Sequence, residues 1–206
     1  MSQPADTLIV LDFETSGLSP DRGDRAIEIG AVKLHRGEVV ARFQQLMYPG
    51  FAISPFIESY CGIDNAELAK APPCAEVMAQ FAEFIGDHNL VAHNASFDRR
   101  FLDAELARIG AGYGGEFACS LLLARRLYPQ APNHKLGTLV GYKGIRHDGV
   151  FHRALADTEM TAKLWLAMLA DLAREHGIHN PSFSLLQQLA RQPKASVASF
   201  LRRMAG

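Results

Sequence analysis

The chain has 206 residues, 48% of them hydrophobic and 21% charged, and its 21 Lys and Arg against 22 Asp and Glu leave a formal net charge of -1. That length holds one good-sized α/β domain with a tail rather than two full domains. The near-neutral balance excludes the global basic field of a protein that coats long duplex nucleic acid, so any nucleic-acid contact must be local.

The first element is the β-branched run "TLIVLDFE", which no basic segment precedes and which Asp12 cuts short, so it reads as a strand and as neither signal peptide nor membrane span. "AIEIGAVKLHRG" and "EVVARFQQLMYP" alternate apolar with other residues and predict two further strands, giving a meander. From Pro55 the pattern changes to short helices, "PFIESYCGI", "NAELAKA" and "PCAEVMAQFAEFIGD", punctuated by Gly62 and Pro72-Pro73. "NLVAH" predicts a short strand and "ASFDRRFLDAELARIG" a helix that Gly110 ends. The glycine-dense "GAGYGG" follows a helix rather than a strand and lacks dinucleotide-motif spacing, so it reads as a turn. Then come a strand in "EFACS", helices in "LLLARRLYP" and "HKLGTLVGYKGI", and the longest helix, "RALADTEMTAKLWLAMLADLAREHG". Strands that meander and then alternate with helices imply an α/β fold with a mixed sheet. After Asn180-Pro181 a helical tail follows, broken at Pro193. We therefore expect a domain over 1–178 and a tail over 179–206. Cys61, Cys74 and Cys119 are too few and too scattered for a disulfide scaffold or a zinc site, which fits a reducing, cytoplasmic setting.

The informative residues are acidic. Residues two apart on a strand share a face, so Asp12 and Glu14 project together while Phe13 turns away. Two adjacent carboxylates repel, and the pair needs a divalent cation, a shared proton or solvent at a strand end. "HNASFD" places Asp98 in the first turn of a helix, where the dipole favours negative charge and a structural role alone would also explain it. "HRALAD" places His152 five residues before Asp157, so the two approach one site only if His152 lies on the preceding loop.

In their order and separations, "DFETSG", "HNASFD" and "HRALAD" resemble the three motifs of the DEDDh, or DnaQ-like, 3'-5' exonucleases, a family that includes the proofreading epsilon subunit of bacterial replicative polymerase. The resemblance spans roughly residues 7 to 172, and "EIGAVKL", "GIDNAEL" and "HKLGTL" share in it. It implies a ribonuclease H-like mixed sheet flanked by helices, and hydrolysis of nucleotides one at a time from a 3' end. Asp12, Glu14, Asp98 and Asp157 match the family's metal-site acids and His152 its general base. Two Mg²⁺ or Mn²⁺ ions are the implied cofactors, which suits hard oxygen ligands. Thr15, Ser16 and Gly17 match the turn that holds the terminal nucleotide, with an ordinary strand-ending turn as the alternative, and Asn94 matches the second motif, though helix capping would explain it equally well. Phe97 is a candidate base or ribose contact, with core packing as its alternative, and Ile63 falls where relatives place an apolar wedge, with a core role at least as well supported. Glu28 is either a partner of these acids or a solvated strand residue, and His93 and His147 are assigned to ordinary loop roles. Arg99, Arg100, Lys143, Arg146 and Arg153 could flank a phosphate cleft, without commitment to any one.

The expected function is cleavage of DNA 3' ends, single-stranded or frayed, in proofreading or repair. Trimming of short RNA shares all five active-site residues, and a non-catalytic polymerase-associated subunit is the alternative of another class. The tail is expected to pack back on the domain, with docking of a polymerase partner as the sharper alternative. Neither a membrane association nor a particular oligomeric state is implied.

Overall fold

The computed structural model describes residues 3–146 and 153–205. The first half begins with β1 (Leu8–Thr15), β2 (Ala26–His35) and β3 (Glu38–Leu46), followed by α1 (Pro55–Cys61), α2 (Asn65–Leu68) and α3 (Cys74–Ile85). Next come β4 (Leu90–Ala92), α4 (Ser96–Arg108), β5 (Phe117–Cys119), α5 (Ser120–Leu127) and α6 (Leu136–Tyr142). The long α7 (Ala154–His176) precedes α8 (Phe183–Arg191) and α9 (Val197–Met204). Local chemistry sets many of these ends. Ser54 caps α1 by accepting from the Ile57 N–H, Asp64 and Glu67 form a reciprocal capping box on α2, and Ser182 caps α8.

The five strands form one mixed sheet in the order β3-β2-β1-β4-β5, antiparallel from β3 to β1 and parallel from β1 to β5. Strand alternation divides β1 between two cores. Leu8 and Val10 face a layer built from α5 to α9, with Trp165, Leu164 and Met168 of α7 among its members. Ile9, Leu11 and Phe13 face the opposite layer, where Phe81 of α3 and Phe101 of α4 pack. Asp12 and Glu14 thus continue the α7 face of the strand.

Gly30 brings α7 to that face. It lies opposite Asp12 across the β1–β2 pair, and a Cβ on it would sit 2.2 Å from the backbone carbon of Ala154. Thr158 fixes the same contact by donating from Oγ1 to the Gly30 carbonyl at 3.0 Å. The start of α7 can therefore rest directly on β2, beside Asp12.

The tail shares the α7-side core. Phe183, Leu186 and Leu189 of α8 and Val197, Phe200 and Leu201 of α9 join the cluster around Trp165. Backbone hydrogen bonds from Ala5 to Pro181 (3.0 Å) and from Phe183 to Gln3 (2.9 Å) tie it to the first described residues. Among the described residues, no helix is long and apolar enough to cross a membrane.

Candidate active site

Three acids from two elements converge. Asp12 and Glu14 project from β1 and Asp157 from the first turn of α7, and one carboxylate oxygen from each lies within 4.8 Å of the others. Asp98 approaches from the other layer, on the first turn of α4, and its Oδ1 accepts the backbone N–H of Phe13 at 3.2 Å. That bond holds a nearly fully buried carboxylate (2% exposed) against the strand residue between Asp12 and Glu14. His152 lies outside the described residues.

The electrostatics follow from this crowding. Burial, then the charges of Asp98, Glu14 and Asp157, hold the Asp12 carboxyl well above the usual carboxylate range. Burial first and Asp157 second push Glu14 up to about 8, and burial raises Asp98 to about 7 against the opposing hydrogen bond from Phe13. Carboxylates forced together in this way are relieved by a cation, and an all-oxygen donor set fits a hard divalent ion rather than a soft one.

Glu28 stands opposite Glu14 on β2 and is fully buried, not solvated. Its carboxylate accepts from Arg153 at 3.0 and 3.2 Å, from the Ala154 backbone N–H at 3.1 Å and from Gln44 at 2.9 Å. The Glu28–Arg153 pair thus anchors the entrance of α7 just before Asp157, which commits Arg153 to the fold. Lys143 is likewise committed, to Asp171 at 2.6 Å, and Arg99 pairs with Asp103.

The acids open into a cleft of about 1270 Å³. Thr15, Ser16 and Gly17 line it as expected from sequence, as do Asn94 and Phe97. The turn is tightly made: Thr15 Oγ1 donates to the Gly17 carbonyl at 2.6 Å, and Ser16 exchanges two hydrogen bonds with Arg25. Arg25 is held in a bidentate pair by buried Glu105 of α4, the helix that also carries Asp98. The space a side chain at Gly17 would fill is taken by the Asp24 carboxylate, 2.3 Å from the would-be Cβ. Asn94 has a left-handed backbone with φ 71 and makes no capping bond; Ala95 holds the cap position of α4.

The structure decides one open reading and corrects another. Ile63 is fully buried with Ile27, Ile53 and Leu68 and does not line the cleft, because the chain turns inward after α1 at Gly62. From α1 it is Phe56, Ile57 and Tyr60 that line the cleft, and Phe56 is 73% exposed and stacks on Tyr60 with ring centroids 6.1 Å apart. The i, i+4 spacing of Phe56 and Tyr60 in "PFIESY" was the available signal. His93, read as an ordinary loop residue, also lines the cleft, and so does Lys135 of the "HKLGTL" segment.

Comparison with known proteins agrees with this geometry. The chain matches the exonuclease family of the ribonuclease T type over residues 9–165. It is 39% identical over 168 residues to DNA polymerase III PolC-type of Bacillus cereus, covering 81% of this chain and 12% of that protein. The same polymerase of Caldanaerobacter subterraneus subsp. tengcongensis is 38% identical over 177 residues, at 84% and 12% coverage. The chain therefore spans about 12% of the length of the curated relatives it matches. Among solved structures, exonuclease X in complex with 5'-overhanging duplex DNA superposes with a TM-score of 0.68 at 28% identity, covering 87% of this chain and 99% of that one. The nuclease domain of 3'hExo, a DEDDh family member bound to rAMP, shares the fold with a TM-score of 0.67 at 22% identity, over 81% and 92% of the two chains. With a mixed sheet flanked by helices, an acidic cluster with Asp98 beside it and a family match over most of its length, the chain belongs to the exonuclease family.

Proposed function

We propose that this chain is a metal-dependent 3'-5' exonuclease that releases nucleoside monophosphates from DNA 3' ends, in proofreading or repair. The carrying observation is the meeting of Asp12, Glu14 and Asp157 within 4.8 Å in an open cleft. These three acids and Asp98 would hold two divalent ions, Mg²⁺ or Mn²⁺. When bound, such ions activate water and neutralise charge on the scissile phosphate. His152 takes the attacking water's proton, a task for which an imidazole, whose unperturbed pKa is about 6.5, is suited near neutral pH. Thr15, Ser16 and Gly17 seat the terminal nucleotide, with Asn94 and Phe97 opposite them. Exposed Phe56 and Tyr60 offer ring faces to unpaired bases, which supports a preference for single-stranded or frayed ends.

The DNA preference draws support from the polymerase relatives and from the DNA-bound neighbour. A polymerase partner acting alongside the chain, and a cytoplasmic setting, belong to the same reading, in which 1–178 form the exonuclease domain and 179–206 its helical tail. A time course on matched 5'-labelled single-stranded DNA and RNA with Mg²⁺ or Mn²⁺ tests it. A metal-dependent ladder from the DNA 3' end is expected. Faster RNA trimming would make the chain an exoribonuclease, and binding without cleavage would make it a non-catalytic subunit.

A further inference from the structure

His93 is a cleft residue that the proposed reaction leaves without a task. It follows β4 and precedes Asn94, and both of its ring nitrogens are engaged: Nε2 lies 2.9 Å from the His134 carbonyl oxygen and Nδ1 lies 2.9 Å from Ser120 Oγ. A carbonyl only accepts, so Nε2 carries the proton. Burial holds the His93 pKa below its ordinary value, and its Nδ1 contact is the hydroxyl of fully buried Ser120, whose Oγ also lies 3.2 Å from the Ala92 carbonyl oxygen. The ring therefore bridges the β5–α5 junction to the backbone of the loop ahead of α6.

That loop is fixed at two further points. The His134 ring contacts the Tyr128 carbonyl at 3.0 Å, and the Asn133 side chain accepts the Lys135 N–H at 2.9 Å. Lys135, next in sequence to the tethered carbonyl, is exposed and lines the cleft. Among the described residues lining the cleft it is the one lysine or arginine, and among the described residues it makes no ion pair. Of the arginines close to the acids in sequence, Arg153 is paired with Glu28 and Arg99 with Asp103, while Arg100 donates to the Ser96 and Leu18 carbonyls and does not line the cleft. A polyanionic strand entering an acidic cleft needs a cation on its wall.

We propose that Lys135 is the cationic contact for the phosphate backbone of the incoming strand, and that His93 is a positioning residue that holds the Lys135 loop against the turn bearing Asn94 and Phe97. The inference rests on the exonuclease reading for its substrate class. It predicts an effect on substrate capture rather than on chemistry.

The test is steady-state cleavage of a 5'-labelled single-stranded DNA with Mg²⁺ across a salt series, using the full chain. Lys135→Met is expected to raise KM roughly threefold to tenfold with kcat within about twofold. It should also reduce the slope of log KM against log salt by about 0.7, the value for one contact to a single strand. Lys135→Arg should keep the wild-type slope. His93→Leu should reproduce the Lys135→Met values, the double variant should be no worse than either single, and His93→Gln, which retains a donor for the His134 carbonyl, should recover most of the loss. Ser120→Ala gives a second, smaller disruption of the same tether should His93→Leu fail to fold. An unchanged salt slope in Lys135→Met overturns the contact, and a fall in kcat at constant KM in His93→Leu overturns the positioning role. Anisotropy of the same labelled strand on Asp157→Asn protein reads the Lys135 contact without chemistry. A wild-type protein that binds in a Lys135-dependent way but does not cleave would therefore refute the exonuclease reading alone.

Discussion

Asp12 and Glu14 occupy strand positions where Leu or Val would pack better, and their raised pKa values measure that conflict. Glu14 is held up at about 8 against an ordinary 4.5, so the metal-free fold favours its protonated form. Its contribution to stability is complete below the ordinary value and is lost as pH rises through about 8; Asp98, at about 7, adds the same trend slightly earlier. In EDTA the thermal midpoint should therefore fall from pH 6 to pH 9, and Mg²⁺ or Mn²⁺ should restore it most at the alkaline end. A flat profile in EDTA would mean that neither burial nor neighbouring charge holds these carboxyls up. Removing one charge should separate stability from function: Asp12→Asn should raise the metal-free stability by about 1 kcal/mol, read from a urea midpoint, while cleavage is lost. The acids were legible in the sequence because strand parity and motif order are local properties. The tether of His93 was not, because its partners Ser120 and His134 lie 27 and 41 residues away. Of the two readings open for Ile63, apolar wedge or core, burial at 0% takes the core one, and the turn after α1 that decides it was not readable.

At the scale of elements, the critical joint is the seating of α7 on β2. Glu28 accepts the first N–H of α7, Thr158 bonds to the Gly30 carbonyl, and Gly30 leaves room for the Ala154 backbone. Gly30→Ala should push α7 away, costing about 1–3 kcal/mol of stability by overpacking. The resulting shift of Asp157 should cost about 10²-fold in kcat. A wild-type kcat in a well-folded Gly30→Ala protein would show that this joint does not position the acid. The helices and strands themselves were readable from alternation, caps and glycine stops. The joint was hidden because it links residues about 126 apart in the chain, and a single glycine in "EIGAV" does not reveal which backbone it admits.

For the whole molecule, the tail is part of the packing that supports the sheet. Phe183 is 2% exposed and its ring centroid lies 6.3 Å from that of Trp165, which donates to the Ala5 carbonyl at 2.7 Å. Phe183→Ala should cost about 3–5 kcal/mol, and truncation before α8 should yield insoluble or thermally weakened protein. A soluble truncated chain with an unchanged thermal midpoint would return the tail to the role of a docking segment. A mixed sheet flanked by helices was implied by the order of strands and helices together with the motif resemblance, whereas the sheet order β3-β2-β1-β4-β5 and the closure of residues 3–5 onto 181–183 depend on long-range pairing.

The most direct test of the central claim is product release from a 3'-labelled single-stranded DNA, comparing wild type in Mg²⁺, wild type in EDTA and Asp157→Asn in Mg²⁺. The account predicts labelled nucleoside monophosphate as the first product of the first reaction, and at least about 10³-fold less in the other two. Release of labelled mononucleotide at the wild-type rate in EDTA or by Asp157→Asn would contradict it.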